Sequence, residues 1–170
     1  MVKQNLNPKK PDDLTLKSRR LSGCLFKSLE FAGKPIVKTI VNGMIANVTP
    51  TTVTGRKRLQ DWKRKVAKEI FVNRNKIQNP DDWYAITVGM IFHTPTHGEQ
   101  KLDLDNYLKP ILDSIAAGLF SDESVNFAKI TNYNKFDDSN FRYLYVERMK
   151  DAKLENEEGI LIYVTKKPHR

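Results

Sequence analysis

Cysteine is almost missing from this 170-residue chain. Cys24 stands alone, which excludes an internal disulfide framework and leaves it as a small apolar side chain in an expected reducing, cytoplasmic setting. Long apolar runs are missing as well, and nothing approaches the roughly 20 residues that a spanning helix requires, so no membrane role is expected. Histidine is scarce: of the three, His93 and His97 flank Pro95 in a TPTHG loop after an apolar segment, and a zinc site is not expected there. There is no internal repeat and no low-complexity tract. LSGC, residues 21–24, has the outline of a lipoprotein cleavage site, and Arg19-Arg20 that of a twin-arginine signal. TLKSRR stands where either would need an apolar region, so neither is expected.

Charge of one sign is present in excess, with 29 Lys and Arg against 20 Asp and Glu, a net +9. It is also unevenly spread. Residues 1–76 hold 18 basic and 5 acidic side chains, and residues 77–170 hold 11 and 15. The first part attracts a polyanion such as nucleic acid, and the second gathers carboxylates.

A hydrophobic fraction of 39% over this length suits one domain with a sizeable core. Residues 1–22, with Pro8, Pro11 and little periodicity, read as a mobile basic arm, and residues 23–170 as the domain. KSLEFAGKP, 27–35, is a short alternation closed by Gly33 and Pro35, a strand and turn; residues 36–48 are a possible strand or hairpin. In RKRLQDWKRKVAKEIFV, 56–72, Leu59, Trp62, Val66 and Ile70 form an apolar helical stripe. Lys57, Arg64, Lys65 and Lys68 lie opposite it with Arg58 beside them, a face suited to phosphate, while Trp62 belongs to the core. WYAITVGMIFHTP then predicts a long central strand. NFAKITNYNKF, FRYLYVERM and GILIYVTK are three further strand candidates. The pattern predicts a single α/β or α+β domain, a mixed sheet flanked by two main helices.

Within the acidic half, KLDLDNYLKPILDSIAAGLFSDES, 101–124, sets five acids around one apolar helix pattern. Asp103 and Asp105, two apart, project together if they close an extended segment. Asn106 is a candidate cap, and Pro110, comfortable only in a first turn, predicts a helix start near Asn106 or Tyr107. Leu108, Ile111, Leu112 and Ile115 supply its buried stripe, and Gly118 a candidate end signal. Lys109 falls one turn from Asp105 and four residues before Asp113, with which it can pair. If the chain folds back after Gly118, Asp122 and Glu123 reach the Asp103–Asp105 end. Clustered carboxylates call for a neutralising cation, and oxygen ligands select Mg²⁺ or Mn²⁺ over Zn²⁺. In a basic protein that set suits phosphodiester hydrolysis, with Lys109 as the ammonium that steadies phosphate or leaving oxygen.

DLDNYLKPILD, followed by a Gly and an acidic pair, resembles the RusA-type Holliday junction resolvases, whose pattern is D-x-D-N-x-x-K, a further Asp and D-D. LEFAGKP, the basic helix with Trp62, and TVGMIFHTP extend the resemblance over about residues 27–165. It implies Asp103, Asp105 and, at the acidic pair, Asp122 and Glu123 as metal-binding acids and Lys109 as the essential lysine, with catalysis carried by Asp103, Asp105, Lys109 and Glu123. Glu123 departs from the pattern by one methylene. The resemblance further implies a Mg²⁺-dependent endodeoxyribonuclease acting as a homodimer on four-way junctions in recombination, repair or phage DNA processing. Two other functions share these features: a branched-DNA-binding protein that does not cut, and a metal-dependent hydrolase of small phosphorylated substrates, against which the basic helix speaks.

Overall fold

The structure, a computed structural model, describes residues 34–45, 47–92, 104–133, 135–149 and 158–168. The expected arm, Cys24, most of the KSLEFAGKP strand, the His93–His97 loop and Asp103 lie outside the described residues.

Proline at 35 and the β-branched residues that follow it start β1 (Pro35–Asn42). The chain then reaches Thr52, whose side chain accepts a hydrogen bond from the Gly55 N–H at 3.0 Å and caps α1 (Val53–Asn73). Trp62, Val66 and Ile70 of the expected stripe are buried and Leu59 packs against them. β2 (Trp83–Ile91) follows, then α2 (Leu104–Phe120), a short 3-10 turn (Phe127–Lys129), β3 (Phe141–Met149) and β4 (Gly159–Lys167).

The four strands form one mixed sheet in the order β1-β4-β2-β3. β4 runs antiparallel to both neighbours, while β2 and β3 are parallel. A parallel pair needs a long crossover, and α2 lies within it. β2 is central as its apolar composition predicts, with Ile86, Val88 and Met90 facing the helices. They join Trp62, Val66 and Ile70 of α1 and Ile111, Ile115 and Leu119 of α2 in one core.

Three expectations are corrected. NFAKITNYNKF is not a strand: Asn126 caps the 3-10 turn through the Ala128 N–H, and Ile130 and Tyr133 tuck against Ala67 and Ala117 instead of alternating across a sheet. Helix α2 starts at Leu104, earlier than Pro110 suggested, so the proline falls in the second turn. Its cost there is about 3 kcal/mol, but full burial of Ile111, Ile115 and Leu119, each about 1.5–3 kcal/mol, outweighs it. Gly118 does not end the helix; it lies within it, where a Cβ would come within 2.5 Å of both the Ala67 carbonyl and the Ile70 Cβ. Glycine is required there by the closeness of α1 to α2.

That contact belongs to a stripe on α1 made of Lys63, Ala67, Ile70 and Arg74, which sits at the α1 C-cap. The small and apolar members meet Gly118 and the core, and the two cations reach along α2. Arg74, buried at the α1 terminus, donates through Nη1 to the carbonyls of Gly118, Leu119 and Ser121 at 2.9, 2.8 and 2.6 Å. It thereby serves backbone acceptors that the end of α2 leaves unpaired. Arg74→Met is expected to lower stability by about 2–4 kcal/mol, because it removes a charged donor from the Gly118 and Ser121 carbonyls at once and leaves Leu119 with the Gln78 N–H at 3.1 Å; the shift in the urea midpoint measures it.

Candidate functional site

Asp105 occupies the exposed first turn of α2, where the positive end of the helix favours an anion. One turn on, the Lys109 side chain is 66% exposed, and its ammonium lies 2.6 Å from Asp113 Oδ1 and 3.4 Å from Asp138 Oδ2. Asp113 is buried, and its other oxygen, Oδ2, accepts from Lys63 Nζ at 2.8 Å. One carboxylate is therefore divided between two lysines. The Lys63 ammonium also sits 3.9 Å from the centre of the buried Tyr133 ring.

The hydrogen bond to Asp113 holds the Lys109 ammonium above the ordinary lysine range, against an opposing effect of burial. A raised folded-state value means that the ammonium's contribution to stability is complete below the unfolded lysine value of 10.5 and fades only as pH rises through the folded one. No loss of stability from deprotonation of Lys109 is expected below about pH 10. Urea midpoints of the wild type beside Lys109→Arg, taken as a function of pH, check this: their difference should stay constant up to that point.

Asp122 and Glu123 do not fold back to Asp105. Helix α2 runs unbroken to Phe120, and at 1.5 Å per residue it sets the two acidic groups about 20 Å or more apart. The physical reason is the Gly118 contact together with the Arg74 cap, which carry the helix past the point where a glycine stop would have turned the chain. At the far end Glu123 Oε1 pairs with Arg74 Nη2 at 3.1 Å. Asp122 Oδ1 accepts from the Ser124 hydroxyl and N–H at 2.5 and 2.9 Å, and these bonds, the hydroxyl first, hold its carboxyl below the usual range. Among the described residues no three His, Cys, Asp or Glu side chains gather as a metal-holding group. Asp103 lies outside them.

Of the expected DNA face on α1, Lys57, Arg58, Lys65 and Lys68 are exposed. Lys65 Nζ donates to the Asn42 carbonyl at 2.5 Å. Arg64 is half-buried, bonded through Nε and Nη2 to the Ile130 carbonyl at 3.2 and 3.1 Å and through Nη1 to Asp61 at 2.9 Å. It fastens the 3-10 segment to the helix. Trp62 is core as expected, and its indole N–H donates to the Gly43 carbonyl at 3.3 Å. Lys63, Arg74, Tyr133 and Asp138 are the members that sequence reasoning missed. For two of them a signal exists: Lys63 and Arg74 fall on the helical stripe of Ala67 and Ile70, where a cation must find a partner.

The family model described as Endodeoxyribonuclease RusA matches residues 34–147, a span containing β1, α1, β2, α2 and most of β3. The chain belongs to the RusA endodeoxyribonuclease family. Membership makes it one of a class of nucleases that resolve Holliday junctions, with branched DNA as the partner class, and this agrees with the basic face of α1. No curated protein and no solved structure matches this RusA-family chain. Among its described residues no helix is long and apolar enough to cross a membrane.

Proposed function

We propose that this RusA-family protein is a Mg²⁺-dependent, structure-selective endonuclease that resolves four-way DNA junctions by hydrolysing phosphodiesters in opposing strands, as a homodimer. The observation that carries the reading is the placement, at the N-terminal end of α2, of an exposed Asp105 one helical turn before Lys109, whose ammonium is held by Asp113, in a chain of this family. The donor chemistry there fits a hard divalent ion, which keeps much of its water and binds through one or two carboxylates plus substrate phosphate. Asp103 and Asp105 would hold it, and when bound it supplies an activated water and neutralises charge at the reacting phosphate. Lys109 contributes a fixed ammonium for a phosphate or leaving oxygen. Asp122 and Glu123, past the far end of α2 from Asp105, are not included in this centre within one chain.

The exposed cations Lys57, Arg58, Lys65 and Lys68 would track the phosphate backbone. Each phosphate contact steepens the dependence of log affinity on log salt by about 0.9. The combined variant Lys57→Gln, Arg58→Gln, Lys68→Gln is therefore expected to shallow that slope by roughly 2–3, measured by junction titration at several salt concentrations. An unchanged slope would place the DNA elsewhere. The homodimer follows from symmetry: a four-way junction has a two-fold axis, and one isologous interface presents two equivalent sites to opposing strands. Sedimentation with and without junction DNA tests it.

A second reading, a branched-DNA-binding protein of the same fold that does not cut, is favoured by one observation: Glu123 is engaged by Arg74, and Asp122 by its own turn. Tight junction binding that is unaltered by Asp105→Asn, with cleavage by neither protein, selects it.

A further inference from the structure

We propose that Lys63 is a positioning residue for the Lys109 ammonium, acting through the Asp113 carboxylate that the two lysines share. Its activity arm rests on the nuclease reading above; its structural arm does not.

Lysine is almost never buried unless paired, and the Lys63 side chain is only 10% exposed, beside an Asp113 side chain of 11%. The Tyr133 ring lies against its ammonium and the Asp113 Oδ2 accepts from it, so Lys63 has little freedom. This in turn fixes the plane of the Asp113 carboxylate and leaves Oδ1 turned toward Lys109. Lys109 needs such an anchor. It is a long, largely exposed side chain, and ordering one costs up to about 2 kcal/mol. Its pairing also runs from Lys to Asp along the helix, the weaker of the two orders for an i,i+4 pair. A surface pair of that kind would hold the ammonium loosely, whereas a carboxylate already oriented by a buried partner holds it in one place. Asp138, 3.4 Å from the Lys109 ammonium, adds a second carboxylate to the group. The result is a chain of contacts from α1 through α2 to the cation one turn from Asp105.

Without the Lys63 charge, Asp113 is released on one side and its carboxylate turns freely, so Lys109 loses its fixed anchor. Misplacement of a reacting group by about 1 Å costs on the order of 100-fold in rate. Lys63→Met, which keeps the apolar stem, is expected to lower kcat on a four-way junction by about 10- to 100-fold with junction affinity little changed, and Lys63→Arg to restore most of the loss. Independently of activity, the ¹H–¹⁵N correlation of the ¹⁵N-lysine-labelled protein should contain a Lys109 ammonium signal, assigned by its disappearance in Lys109→Arg. It should persist in Lys63→Arg and vanish or shift in Lys63→Met. If the Met variant does not fold, Lys63→Gln, which keeps an N–H donor without the charge, is read in the same two ways. A wild-type kcat together with an unmoved Lys109 signal would overturn the proposal and leave Lys63 as a fastener between helices. Should the wild type cut no branched DNA, the nuclease reading fails, and the ammonium signal alone decides whether Lys63 positions Lys109.

Discussion

Asparagine in place of Asp105 is expected to leave a protein that folds and binds a four-way junction but cuts it about 100- to 1000-fold more slowly. Folding is spared because the side chain is exposed on the first turn of α2 and takes no part in the core. What the helix loses is a favourable anion at its positive end, about 0.3–1 kcal/mol, a small fraction of a domain's stability. Binding should be spared because removing a negative charge near DNA does not weaken the phosphate contacts proposed for α1. The rate is expected to fall because a neutral amide is a poor ligand for the hard divalent ion proposed there, and Asp105 is the exposed acid on the first turn of α2, one turn before Lys109. Three readouts separate these effects: a thermal melt, a gel-shift titration and single-turnover cleavage. If the melt is unchanged and cleavage proceeds at the wild-type rate, the chemistry is not at this end of the helix.

Gly118→Ala is expected to lose about 2–4 kcal/mol and roughly 5–15 °C in Tm. Helix propensity alone predicts the opposite, a gain of up to about 1 kcal/mol, since alanine is the better helix former. Packing decides the sign. The added methyl would lie 2.5 Å from the Ala67 carbonyl oxygen and from the Ile70 Cβ, and backbone of a neighbouring helix cannot move aside as a flexible side chain can. The two helices must separate, and that opens the core shared by Ile70, Ile115 and Leu119. The same displacement pulls Arg74 from the carbonyls it caps, so part of the expected loss is polar. Calorimetry or a urea titration reads the change, and a Tm above wild type would contradict the close crossing.

Much of this was legible because it rests on local periodicity. The Leu59–Trp62–Val66–Ile70 stripe predicts α1, the apolar run at Trp83 predicts a central β2, and the alternations FRYLYVERM and GILIYVTK predict β3 and β4. Strand order was not legible, since it depends on pairings far apart in the chain, and β4, last in sequence, sits between β1 and β2. Gly118 misled for a related reason: a glycine after an apolar helical run looks like a stop signal, and only the neighbouring helix shows that it is a contact point. The return of Asp122 and Glu123 to the Asp105 end was conditional on a chain reversal after Gly118, which the helix running on to Phe120 does not make. At the candidate site Asp105 and Lys109 could be named from their spacing, and so could the pairing of Lys109 with Asp113. Lys63 could not be connected to them, because the salt bridge spans 50 residues and joins two helices.

The most direct measurement is cleavage of a strand-labelled synthetic four-way junction by the full chain with Mg²⁺, beside linear duplex and Y-fork controls. Symmetric paired nicks in opposing strands of the junction, with the duplex left intact, are the predicted result. Tight binding of the junction with every strand uncut in Mg²⁺ and in Mn²⁺ would contradict it.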